Sequence, residues 1–356
     1  MLDASDNDVL DEGLSRLAVT GPEFGGGLSN HGPMAAEALV RLGRADAVPH
    51  WLDGYLPRLD DAPTASDRIT NATWPQALGS LNRVADWEAY VRAQLAEERW
   101  QDVFARWWPR LLPGVAAAAT HGVIRTSHAA RSLALAEAAG TRDDAERRGE
   151  LARGLAYWAA SYVELPGAEL SGPAAGQLEL TAAIRALPVL AEPPAGDMIT
   201  GRLKAGLARE PGFGPAVAAL RAPADPRTAF RDLAREFAGI FQMYGTDRPI
   251  TFLHAVTAPV AAYSVLPLLP ADLFPPTRDA LWRVAAALYS VHAGGVTPRP
   301  LPAADPPAPD DLTDRAVATG DEHAIKLTEA CLRVHGETPD PLLLHAAARA
   351  SELLGS

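Results

Sequence analysis

Cysteine is almost missing from these 356 residues: Cys331 stands alone. One thiol excludes an intrachain disulfide and any thiolate metal cluster. Lysine is nearly as scarce. Of 32 Lys plus Arg, only Lys204 and Lys326 are lysines. There is no basic run, and a net charge of −12 argues against a nucleic-acid surface. No apolar stretch is read as reaching the 18 or so residues that a membrane helix needs. The opening Met1-Leu2-Asp3-Ala4-Ser5-Asp6 is acidic and lacks the charged and apolar regions of a secretory signal. Alternating strand runs with hairpin turns are absent, and no repeat period stands out. So are His-Glu-x-x-His, the paired Glu-x-x-His of di-iron bundles, Gly-x-Ser-x-Gly and a Gly-x-Gly-x-x-Gly after a strand. These absences predict a cytoplasmic protein with no nucleic-acid or membrane partner.

What is present is alanine, leucine and arginine at helical spacing, with 48% hydrophobic residues, ample for a packed core. The expected fold is all-α, a single large helical domain over 1–356 with the metal site between helices. Helices are expected at 8–19, from Pro33 to Gly43, and at 47–58, 84–107, 115–139, 143–163, 177–187, 226–244, 250–266, 277–293, 320–335 and 339–354. Glycine- and proline-rich loops are expected at 166–176 and 192–197. Prolines at 298, 300, 302, 306, 307 and 309 mark 298–310 as an extended surface loop, too near the C-terminus to divide two domains.

The stretch Thr319-Gly320-Asp321-Glu322-His323-Ala324-Ile325-Lys326-Leu327 reads as a helix start, with Thr319 and Glu322 as a capping box. His323 and Lys326, three apart, leave one side of that helix. Where arginine supplies nearly every cation, a retained lysine invites a reason. A buried amine can lose its proton, and arginine cannot. A neutral amine adds carbon dioxide to give a carbamate, an anionic oxygen ligand. The plainer reading is an ion pair of Lys326 with Glu322 or Glu329.

Six of the nine histidines sit in apolar stretches: His31, His121, His128, His254, His292 and His323. Helical bundles build metal sites from inward-facing side chains on separate helices. A donor set rich in imidazole and poor in carboxylate favours a redox metal or zinc over magnesium or calcium.

The segments Asn30-His31-Gly32-Pro33, His121-Gly122-Val123-Ile124, Phe252-Leu253-His254-Ala255-Val256-Thr257 and His323-Ala324-Ile325-Lys326-Leu327 together resemble the questin oxidase-like family, in that family's order, across most of the chain. The resemblance implies an all-α non-haem iron oxygenase that cleaves the ring of an aromatic polyketide. Fe(II) would be held by His31, His121, His254, His323 and the CO2-derived carbamate of Lys326, with O2 as co-substrate. A reductase that prepares the reduced substrate follows by analogy. Arg125 and His128 depart from the fungal pattern. His128 would support a ligand by hydrogen bond or help hold substrate. Arg125 would anchor a phenolate or carboxylate, or else pair with an acid on the surface. His292 is a further candidate for the pocket wall. Two other readings use the same residues: a non-catalytic helical scaffold with satisfied core histidines, and a zinc hydrolase.

Overall fold

The computed structural model describes residues 4–140, 144–167, 176–196 and 198–355. Most of the loop expected at 166–176, and position 143 at the expected helix start, lie outside them. The fold is all-α. By their contacts the residues form two compact units, Met1–Leu111 with His121–Tyr162, and Leu112–Thr120 with Val163–Ser356. The proline-rich 298–310 segment lies inside the second unit.

Unit 1 contains α1 (Ala4–Leu17), β1 (Glu23–Phe24), β2 (Leu28–Ser29), α2 (Gly32–Arg41), α3 (Val48–Tyr55), α4 (Trp74–Ala77), α5 (Val84–Glu97), α6 (Trp100–Leu111), α7 (His121–Ala138) and α8 (Ala145–Ala160). Helix α8 packs against α5 and α7, and α2 lies between α1 and α7. Two glycines set the α7–α8 approach. A Cβ on Gly122 would stand 2.7 Å from Trp158 Cγ, and one on Gly154 would stand 3.1 Å from Thr126 Cα. Trp87, Trp107, Trp108 and Trp158 fill the core.

Unit 2 contains α9 (Leu180–Ala186), α10 (Ile199–Leu207), α11 (Phe213–Ala218), α12 (Pro226–Tyr244), α13 (Pro249–Val265), α14 (Phe274–His292), α15 (Pro309–Thr319), α16 (Glu322–Glu337) and α17 (Pro341–Leu354). Helix α13 is apolar all round, which a helix can be only when wrapped by others. It packs on α12, α14 and α16. The run Pro249–Leu268 is long and apolar enough by composition to cross a bilayer, which the sequence reading had not recognised. In the fold its apolar window is 78% buried inside the protein, as befits a core helix.

Several expected elements differ. The helix expected at 84–107 is two, broken at Glu98 and Arg99, and Pro109 is tolerated inside the last turn of α6. The helix expected from 115 begins at His121. The proline-rich segment ends in α15, because Pro309 occupies a helix-opening position where its missing N–H costs nothing. Gly25, Gly26 and Gly27, all at positive φ, close a two-stranded hairpin with Glu23 opposite Ser29, where only a flexible turn was expected. Thr319 does not cap α16. It closes α15, its hydroxyl donating to the Ala316 carbonyl, and Gly320 follows in the left-handed conformation. Asp321 is the cap, its Oδ1 accepting from the N–H of His323 at 2.8 Å and of Ala324 at 3.0 Å.

Candidate metal centre

In unit 1, His31 stands at the N-terminus of α2, and several contacts fix its backbone. Asn30 donates to Thr20 Oγ1 and the Gly21 carbonyl, and its Oδ1 accepts the Gly32 N–H at 2.9 Å. The His31 N–H donates to Tyr55 Oη at 2.8 Å. Leu17 lies so close that a Cβ on Gly32 would be 2.4 Å from its Cδ2, so a larger residue after His31 would displace the Leu17 side chain. The imidazole meets that of His121 edge-on, centroids 4.5 Å apart. Both residues are buried.

His121 is delivered by an uncommon turn. Ala118, Ala119 and Thr120 have φ of 45°, 53° and 75°, three consecutive non-glycine residues in the left-handed region. Each costs roughly 1–2 kcal/mol there. Within unit 2, Thr200 clasps this turn: its Oγ1 accepts the Ala119 N–H at 2.9 Å and donates to the Ala116 carbonyl at 3.1 Å.

In unit 2, His254 on α13 and His323 on α16 face each other with centroids 6.0 Å apart. Burial lowers the His323 pKa, helped by the nearby Lys326 cation and opposed by Asp321, whose Oδ1 lies 3.6 Å from Nδ1. A neutral imidazole is the form that ligates. Lys326 is 2% exposed, one turn along from His323. Burial brings its pKa down to about 8, against the pull of Glu322 and Asp321. Glu329, one of the two expected partners of this lysine, forms an ion pair with Arg333.

Arg125 and His128 follow His121 along α7 and belong to a buried charge network. Arg125 donates from Nε to Glu150 Oε1 at 2.6 Å and from Nη2 to Oε2 at 3.0 Å. The ion pair expected at the surface is therefore in the interior. His128 Nδ1 lies 2.8 Å from Glu37 Oε2, and Arg131 grips the same carboxylate. Burial pushes the Glu37 carboxyl up, but Arg131 and His128 outweigh it and hold it well below the usual carboxylate range. An ionised carboxylate only accepts, so Nδ1 carries a hydrogen toward Glu37. A water-sized space of about 10 Å³ separates the two networks.

Sequence reasoning missed Glu37, although an acid inside the apolar run Met34–Val40 was the signal available. It also missed Tyr55 and Thr200, which act through contacts distant in sequence. His292 lies apart at the end of α14, fully buried, with no partner for either ring nitrogen among the described residues.

The structure thus pairs His31 with His121, and His254 with His323 beside Lys326. Each pair offers two buried imidazoles, the donor type that zinc, copper, nickel and iron accept. No family model matches the chain, and no curated protein matches it.

Proposed function

We propose that this chain is a non-haem Fe(II) oxygenase that uses O2 to cleave a ring C–C bond of an aromatic polyketide, acting in the cytoplasm on a reduced substrate that a partner reductase supplies. His31, His121, His254, His323 and Lys326 hold the iron. The observation that carries the reading is the geometry of the donors: two close, buried imidazole pairs, with a buried lysine one turn from one of them. When bound, Fe(II) supplies the one-electron chemistry that lets dioxygen react with an electron-rich ring.

The residues do the rest. The Lys326 amine adds to the carbon of CO2 and passes a proton to water, leaving a carbamate whose negative charge would offset that of a divalent cation in a buried site. Asp321 holds the first turn of the helix that presents His323 and Lys326. Glu37 fixes the His128 tautomer, so that Nε2 can take a proton from a phenol brought to it. The Glu150 carboxylate holds Arg125 in place; in this reading it stiffens α7 behind His121.

Metal analysis of protein purified without added metal tests the assignment. About one iron per chain is expected; zinc would favour a hydrolase using the same histidines, and no metal would favour a non-catalytic helical scaffold. Lys326→Ala should lose iron and turnover, whereas Lys326→Glu, which supplies a carboxylate without CO2, should regain iron in part. Full iron content and turnover in Lys326→Ala would refute the carbamate role.

A further inference from the structure

Seven of the eight tryptophans belong to unit 1, the unit that contains His121. Five of them form an ordered series with one tyrosine. Trp158 presses on Gly122, the residue after His121, closely enough that a Cβ there would be 2.7 Å from its Cγ. Its ring meets Trp108 edge-on, centroids 5.4 Å apart. Trp107 is the next residue, and its ring meets Trp87 at 5.4 Å, Trp74 at 5.2 Å and Tyr90 at 5.9 Å. Trp158, Trp108, Trp107 and Trp87 are at most 1% exposed, while Trp74 and Tyr90 are half-buried and reach solvent.

Packing alone accounts for a cluster of aromatic rings; it does not account for the charges at the outer end. Arg110 lies over Trp107 at 4.9 Å and over Trp74 at 5.2 Å. A guanidinium there repels the cation that a tryptophan becomes on losing an electron. Tyr90 differs. On oxidation it releases its phenolic proton and becomes a neutral radical, which no cation repels. Its Oη already donates to Asn71 Oδ1 at 2.6 Å, at the edge of an open cleft where water can take that proton. The charges therefore make Tyr90 the favoured end.

We propose that this series carries an oxidising equivalent from the His121 end of unit 1 outward to Tyr90, sparing the buried residues from damage. The idea rests on the reading of a redox-active metal at His121. The steps balance as single-electron transfers. A one-electron oxidant at the inner end takes an electron from Trp158. Electrons then move inward ring by ring, Trp108 to Trp158, Trp107 to Trp108 and Tyr90 to Trp107. Tyr90 loses a proton to solvent, and a dissolved thiol returns one hydrogen atom to the tyrosyl radical.

The test uses the metal-free full chain. Azide radicals made by pulse radiolysis oxidise tryptophan, and tryptophanyl and tyrosyl absorbance are followed in time. Tyrosyl absorbance should grow as tryptophanyl absorbance falls, at a rate independent of protein concentration. That phase should vanish in Tyr90→Phe and in Trp107→Phe. Tyr90→Phe removes only a hydroxyl at a half-buried position, so the result does not depend on whether Trp107→Phe folds. An unchanged tyrosyl phase in Tyr90→Phe overturns the proposal. If the phase appears as expected but the chain never takes up iron, the relay stands and the metal assignment falls.

Discussion

At the scale of single residues, His292 is the most exposed to pH although it touches no water. Burial, with Arg202 and Arg248 nearby, holds its pKa down to about 4, against the ordinary 6.5. The unfolded chain therefore takes up a proton on this ring first as pH falls. The stabilisation is complete above about 6.5 and is lost between there and about 4; the full difference is on the order of 3 kcal/mol. Urea midpoints measured from pH 7 to pH 4 should fall steeply in the parent protein and less steeply in His292→Phe. Equal slopes would show that the His292 pKa does not differ between the folded and unfolded chain. Lys326 and the paired histidines could be picked out in the sequence because rarity and apolar surroundings are local properties. The partners of Arg125 and His128 could not, since Glu150 and Glu37 lie 25 and 91 residues away.

Among the elements, the left-handed turn before α7 is the costliest. Ala119→Gly removes the steric penalty at φ 53° and should raise stability by up to about 1 kcal/mol. Ala117→Gly, outside the left-handed stretch, should instead lower it by about 0.5–1 kcal/mol. Denaturant unfolding of the two variants checks the sign, and a loss in both would mean that the turn is not strained. Nothing in Ala118-Ala119-Thr120 announces such a conformation, because the residues that favour it are glycine and asparagine. Elsewhere the sequence was informative in proportion to its punctuation. Helices α12, α14 and α17, bounded by Asp, Gly or Pro, were read nearly whole. The break between α5 and α6 at Glu98 and Arg99 carries no such residue, and α15 was masked by the prolines leading into it. Asp321 was seen as part of a helix start, but Thr319 was chosen as the cap because the end of α15 beside it had gone unread.

For the molecule as a whole, the all-α class followed from helical periodicity and the lack of alternating runs. The two units did not, because their boundaries fall at 111/112, 120/121 and 162/163, and composition marked the 298–310 segment instead. Cys331 offers a probe of cooperativity in unit 2. It is fully buried on α16, and burial, with Glu329 nearby, pushes its thiol far above the ordinary range. A disulfide reagent should leave it untouched in the native protein and react at the rate of opening, which unfolding followed by circular dichroism measures independently. Reaction faster than that would reveal local opening of α16.

The shortage of lysine has a practical side. Lys204 is exposed on α10 and Lys326 is enclosed. Amine-directed coupling of a dye or a biotin tag will therefore mark the folded chain at Lys204 and leave the enclosed Lys326 amine untouched.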